Sequence, residues 1–281
     1  MRAGLLGFGK AGRAVATVLL QSEEVELCWV LRKTTNLQHR SVSEYLGIKD
    51  DSGCLIFAKD EYTYPELFEK HPVDVIIDFS AADAVLEYGS FAAERGINIV
   101  SAISAYPDST IPFLKQLAET TRVLWSPNIT VGINFLMISA KILKSIAPYA
   151  DIELIEEHFK SKREISGTAI KISQTLSLAE TDIKSVRAGG IVGRHEIIFG
   201  FPYQTVRLIH ESISREAFGN GALFAAKSIA NQENGFYNME DMLKTYFNFD
   251  NISIKKKGVI GQIMNNWFKK GICLRTGKYK S

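Results

Sequence analysis

Cysteine is scarce: Cys28, Cys54 and Cys273 are the only three among 281 residues. So few thiols, so far apart, exclude a disulfide framework and a zinc cluster, and they suit a reducing compartment. Cys28 lies in the apolar run Val25, Leu27, Trp29, Val30 and is expected to be a buried strand residue. No segment approaches the roughly 18–20 uncharged apolar residues of a membrane span. The first residues, Arg2-Ala3-Gly4-Leu5-Leu6-Gly7, look like a strand and turn rather than a charged leader before a long apolar stretch. A soluble, cytoplasmic protein is expected. Acidic clusters with metal-ligand spacing are missing, as is any nucleic-acid motif, so neither metal nor nucleic acid is expected. Acid is also missing from the last 31 residues, which hold eight of the 33 lysines and arginines; residues 1–250 carry the remaining 25 against all 31 acids. The body is acidic and the tail basic.

What is present is ordinary for a globular chain: 46% apolar and 23% charged residues. The length suggests two domains, or one large one. Ala3-Gly4-Leu5-Leu6 leads into Gly7-Phe8-Gly9-Lys10-Ala11-Gly12 and then the amphipathic run Arg13 to Leu20. Strand, glycine turn and helix follow in the order of a Rossmann unit. Gly7 permits the turn, Gly9 lets backbone approach a pyrophosphate, and Gly12 lets helix pack on strand. The helix start faces the phosphate charge. A second strand, Val25 to Leu31, ends in Arg32-Lys33 rather than a carboxylate. Cations there attract a 2′-phosphate, so NADPH is expected, with NADH the alternative.

Further strands are expected at Val73 to Ser80, Ile97 to Ser101 and Val123 to Trp125, with a helix from Ala84 to Arg95 closed by Gly96. Alternation of apolar strands and helices means a parallel sheet. Ligands sit beyond the carboxyl ends of such strands, which places Phe79, Ser80 and Ser101 to Ser104 beside the coenzyme. Asp78 could equally be a simple capping or turn residue.

Beyond Pro127 the pattern changes. A helix is expected over about Phe135 to Ile146, then a half-buried alternating strand, Asp151 to His158. A helix from Ala169 to Leu178 follows, then strands near Ile183 to Val186, His195 to Phe201 and Thr205 to Ser212, and a helix from about Gly219 to Ile229. Many strands and few helices indicate a mixed or antiparallel sheet. The fold class is therefore α/β, a Rossmann domain with a second α+β domain for substrate and oligomerisation. The expected boundaries are 1–126 (completed by about 235–250), 127–234, and a basic extension at 251–281.

The densest chemistry is His158 to Thr168. Reduction by hydride needs a proton for the other end of the double bond, and His158 and Lys162 are two candidate donors just past a strand end. Ser166-Gly167-Thr168 opens a helix whose free N–H groups suit a carboxylate, although Ser166 is also an ordinary N-cap residue.

Glu157-His158-Phe159-Lys160-Ser161-Lys162 followed by Ser166-Gly167-Thr168-Ala169 resembles the signature of the dihydrodipicolinate (4-hydroxy-tetrahydrodipicolinate) reductases. Gly7 to Gly12, Asp78 to Ser80, Asn128 to Asn134, Arg187 to Gly193 and Ser214 to Ala222 also resemble family stretches, in family order across residues 1 to about 247. The resemblance implies reduction of a cyclic dicarboxylate imine-type intermediate of lysine and diaminopimelate biosynthesis by a homotetramer. It implies that His158 and Lys162 are catalytic, that Ser166, Gly167 and Thr168 grip a substrate carboxylate, and that Asn128 joins the coenzyme-binding set. Three departures stand out. Phe159 replaces a usual second histidine, Arg163-Glu164-Ile165 is one residue shorter than the family's insert, and Ser101-Ala102-Ile103-Ser104 replaces a threonine-rich turn. A reductase of another imine, or a non-catalytic coenzyme-binding regulator, is the alternative function.

In the tail, Val259, Ile260, Ile263, Met264, Trp267 and Phe268 recur at helical spacing between lysines. Such a helix suits its own acidic body or a neighbouring subunit, another partner, or an anionic surface.

Overall fold

The computed structural model describes residues 1–49 and 53–247. The basic extension expected at 251–281 lies outside the described residues. Met1–Leu243 form one compact unit; beyond it, Thr245–Phe247 make a single 3-10 turn.

The first half alternates strand and helix: β1 (Arg2–Leu6), α1 (Lys10–Leu20), β2 (Glu26–Arg32), α2 (Val42–Leu46), β3 (Leu55–Ala58) and α3 (Tyr64–Lys70). It continues through β4 (Val75–Asp78), α4 (Ala84–Glu94), β5 (Asn98–Ser101), α5 (Thr110–Leu117) and β6 (Arg122–Trp125). The second half holds α6 (Val131–Ile146), β7 (Asp151–His158), α7 (Gly167–Thr175), β8 (Ile183–Arg187), β9 (Gly193–Phe201) and β10 (Gln204–Ser212). It ends with α8 (Glu216–Ile229), β11 (Gly235–Tyr237) and α9 (Met239–Lys244).

Seven strands form one sheet in the order β11-β6-β5-β4-β1-β2-β3, with every neighbouring pair parallel. Strands β4 and β5 are buried along their whole length because helices cover both faces. One face packs Leu5 and Val30 against Val15, Leu19, Ala222 and Ile229 of α1 and α8. The other packs Trp29, Ile76 and Ile99 against Tyr88 and Leu114 of α4 and α5. Strand order reverses between β1 and β4, and that switch point opens a crevice at their carboxyl ends.

The other sheet is mixed, in the order β10-β9-β7-β8. The pairs β7–β9 and β9–β10 are antiparallel, and β7–β8 is parallel. Helices α6 and α7 cover one face, burying Ile133, Met137, Leu154, Ile172, Ile197 and Phe199. The opposite face carries Glu157, Arg194, Glu196 and Arg207, linked as ion pairs, beside Val186 and Ile209, which are 43% and 51% exposed.

Several expectations shift. The strand expected over Val73 to Ser80 is confined to Val75–Asp78, which leaves Phe79 and Ser80 in the turn above it. Helix α6 begins at Val131, four residues before Phe135. There Asn134 folds back to donate to the carbonyls of Asn128 and Thr130, at 2.6 and 2.8 Å, and stabilises the first turn. Cys28 is half-buried rather than buried. Neither β3 nor β11 is among the expected strands; β11 extends the large sheet beyond β6 with residues from far along the chain. Among the described residues no helix is long and apolar enough to cross a membrane.

Candidate active site

At the switch point the backbone itself shapes a cavity. Gly7 adopts φ +93°, and a Cβ there would come within 2.5 Å of the Phe79 carbonyl oxygen. A Cβ on Gly12 would lie 2.0 Å from the Gly7 carbonyl oxygen. Only glycine permits either approach. At Gly9, the N-cap of α1, a Cβ would meet nothing within 4 Å. The first turn of α1 contains no acid, so its positive end is not neutralised. The cavity holds about 460 Å³ and is lined by Gly7, Phe8, Gly9, Arg32, Lys33, Phe79 and Ser80, among others. Of the candidates in the glycine turn, Lys10 and Ala11 stand on the first turn of α1 outside this lining.

Two details bear on what fits here. Nη1 of Arg32 is buried without a hydrogen-bond partner, and a buried donor left unpaired costs about 1–3 kcal/mol. The turn after β4 is clamped by Asp78, which accepts from the Ser80 amide at 2.9 Å and from Tyr88 Oη at 3.0 Å. Burial raises the Asp78 pKa against these hydrogen bonds. Open space at Gly9, an uncompensated helix start and an orphan guanidinium suit a phosphorylated dinucleotide.

The second cluster grows from the end of β7. Alternation puts Glu156 and His158 on the same buried face of that strand. Register then places Ser185 beside Glu156 and Arg187 beside His158 on β8, and His195 beside Glu156 on β9. Glu156 receives His158 Nδ1, the Ser185 hydroxyl and Arg187 Nη2, the last at 2.6 Å. Burial opposes ionisation of Glu156, but the hydrogen bonds from Arg187 and Ser185 prevail and lower its pKa. Burial lowers His158, and Glu156 only partly offsets this. Lys162, half-buried in the turn after β7, adds through-space repulsion that lowers both His158 and His195. His195 is pushed down to about 3, first by burial and then by His158.

Ser166 is the N-cap of α7. Its Oγ accepts from the Ala169 amide at 3.0 Å and lies 2.9 Å from His195 Nε2. That hydroxyl is turned inward, so the groups facing outward from the Ser-Gly-Thr start are those of Gly167 and Thr168. Both line a second cleft of about 620 Å³ together with Ser104, Asn128 and Lys171. Thr168 Oγ1 donates to Asn128 Oδ1 at 2.6 Å and ties α7 to the segment after β6. Ser101 lies buried beneath this cleft, its hydroxyl 2.9 Å from Tyr106 Oη. The candidates expected around one coenzyme thus fall into two groups: Gly7 to Gly12, Arg32, Lys33, Phe79 and Ser80 at the switch point, and Ser104 and Asn128 at the second cleft.

Family models describing the N-terminus and C-terminus of dihydrodipicolinate reductase match residues 1–129 and 129–243. The chain belongs to the dihydrodipicolinate reductase family. It is 34% identical to a 4-hydroxy-tetrahydrodipicolinate reductase of Thermosipho africanus over 213 residues, 72% of this chain and 97% of that protein. A second such reductase, from Caldanaerobacter subterraneus subsp. tengcongensis, is 30% identical over 259 residues, 84% and 95% of the two chains. A dipicolinate-bound dihydrodipicolinate reductase from Paenisporosarcina sp. TG-14 shares the fold, with a TM-score of 0.70 at 24% identity over 86% of this chain and 98% of that one. An amine dehydrogenase from Mycobacterium smegmatis shares the fold more distantly, with a TM-score of 0.62 at 12% identity over 85% and 95% of the chains.

For a dihydrodipicolinate reductase family member, the signature segment alone omits half of the polar cluster. Glu156, Ser185, Arg187 and His195 supply the rest. Glu156 was within reach, because residues two apart on an alternating strand share a face. Ser185, Arg187 and His195 come from other strands, and only pairing register reveals them.

Proposed function

We propose that this chain reduces 4-hydroxy-tetrahydrodipicolinate to tetrahydrodipicolinate with NADPH, in lysine and diaminopimelate biosynthesis. Membership of this family, together with the Glu156–Arg187 network that joins His158 to the main chain of Lys162 beside the start of α7, supports the reading. The large-sheet domain serves as the coenzyme domain and the mixed-sheet domain as the substrate and oligomerisation domain. Bound NADPH supplies the hydride. Gly7, Gly9 and Gly12 admit the pyrophosphate at the start of α1, with Phe8, Lys10 and Ala11 completing that turn. Arg32 and Lys33 take the 2′-phosphate, and Phe79, Ser80, Ser101, Ser104 and Asn128 border the nicotinamide end.

The backbone N–H groups of Gly167 and Thr168, with the Thr168 hydroxyl, hold a substrate carboxylate at a helix start that Ser166 caps. His158 keeps its Nδ1 proton on Glu156, which leaves Nε2 free of that bond. A neutral ring presents a lone pair there, so Lys162 is the proton donor and His158 orients the acceptor and relays charge. Among the described residues no helix covers the other face of the mixed sheet, and Val186 and Ile209, exposed there among ion pairs, support a homotetramer built through that face.

The test is NADPH oxidation with the condensation product of pyruvate and aspartate semialdehyde. Turnover that falls roughly 100-fold or more in Lys162→Ala is expected, within the usual range for a lost proton donor. Tight NADPH binding with no turnover of this substrate in the wild-type protein would overturn the assignment. Light scattering in solution checks the tetramer.

A further inference from the structure

Lys162 must be held where its proton is needed, yet it sits in a turn with no helix or strand of its own. Arg187 supplies the missing support. Its Nε donates to the Lys162 carbonyl at 2.9 Å and its Nη2 to the Glu164 carbonyl at 3.0 Å. The same Nη2 reaches Glu156 Oε1, and the other oxygen of that carboxylate receives His158 Nδ1. One buried carboxylate and one guanidinium therefore connect the histidine ring with the main chain carrying the lysine.

We propose that Glu156 and Arg187 are positioning residues that set His158 and Lys162 into one geometry. This inference rests on the functional reading above and deepens it. Glu156 fixes the tautomer, since a carboxylate accepts and does not donate, so the ring must place its proton on Nδ1. Arg187 fixes the turn, because its planar fork spans two carbonyls and a carboxylate at once, which an ammonium cannot do. Stability alone does not call for this pair: exchanging a buried ion pair for apolar side chains is often neutral or stabilising. Gly193 completes the device, since a Cβ there would lie 3.1 Å from His158 Nε2 and crowd the nitrogen that faces substrate. The His158 ring meets Glu156 on its own strand and the His195 ring on β9, and the charges of Lys162 in the turn and Arg187 on β8 act on it through space.

Two full-length variants separate positioning from mere structural support. Glu156→Gln keeps the shape but removes the charge that favours protonated His158. The acid limb of kcat/KM therefore moves to lower pH, and kcat drops roughly 10- to 100-fold while KM for NADPH stays put. Arg187→Lys keeps a cation beside Glu156 but releases the turn. The dicarboxylate KM rises, kcat falls, and amide exchange at Lys162, whose N–H bonds the Phe159 carbonyl at 3.0 Å, speeds up roughly tenfold. Unfolded protein would lose amplitude in every readout without moving a pH limb. An unmoved limb in Glu156→Gln together with unchanged Lys162 exchange in Arg187→Lys overturns the proposal, even where Lys162→Ala is inactive. If the wild-type enzyme ignores the dicarboxylate, the functional reading fails by itself. His158 titration by NMR and the Lys162 exchange rate then decide this proposal without substrate.

Discussion

The two candidate sites are built from different materials. At the switch point, backbone makes the site: a helix start and glycines whose lack of a side chain is their contribution. At the end of β7, side chains make the site, and they come from three strands and a turn. A backbone site admits no added atom where its turns close most tightly, as at Gly7 and Gly12. A side-chain site tolerates modest changes in volume but depends on proton location and charge.

That contrast can be broken or sharpened by substitution. The largest effect after loss of Lys162 should come from Gly12→Ala. Its new methyl would lie 2.0 Å from the Gly7 carbonyl oxygen, and relieving such an overlap typically costs about 1–3 kcal/mol. A lower Tm and much weaker NADPH binding by calorimetry are expected; wild-type affinity would show that the turn yields freely. Next comes Arg32→Asp, which puts a carboxylate where a 2′-phosphate must go. NADPH affinity should fall by roughly 10- to 100-fold, the loss of one or two charge-assisted contacts, with NADH affinity little changed. An NADPH preference that survives would place phosphate recognition elsewhere.

Smaller still is Gly193→Ala, which crowds His158 Nε2 but leaves the coenzyme end untouched. Its kcat should fall several-fold with an unaltered Kd for NADPH, an order-of-magnitude expectation for a displaced catalytic group. Equal losses in both would mean that the two sites are not separable. The gentlest probe is acid. His195 titrates near 6.5 when unfolded and is held down to about 3 in the fold. Between those values the unfolded chain binds a proton that the folded chain refuses, so stability falls as pH drops below about 6.5 and the loss levels off near 3. Each pH unit changes the unfolding constant by up to about tenfold for this group. Urea midpoints should therefore decline more steeply between pH 6.5 and 4.5 for the wild type than for His195→Gln, and identical slopes would remove His195 from the account.

The same contrast explains what the sequence could reveal. The coenzyme site is local in the chain, so Gly7, Gly9 and Gly12 declare themselves, and β7 was readable end to end from its alternation. Arg187 and His195 lie 29 and 37 positions beyond His158 and meet it only because β8 and β9 pair with β7 in a particular register. A slip of one residue would send each to the opposite face. Helix α6 was anticipated too late because Val131 and Gly132 resemble a loop until the Asn134 side chain is seen bonding back to Asn128 and Thr130. Ser166 was legible both as a carboxylate ligand and as a cap, and the hydrogen bond from the Ala169 amide shows its side chain capping.

Parallel pairing of β7 with β8 has a consequence for how this enzyme family can vary. Two strands running the same way cannot be joined by a tight hairpin; the chain must travel back the length of the sheet, and α7 is that return journey. Helix α7 must therefore begin near where the strand that ends in His158 stops, with only residues 159–166 as tether. Lengthening or shortening that tether shifts the start of α7 relative to Lys162 while both remain moored to the carboxyl end of β7.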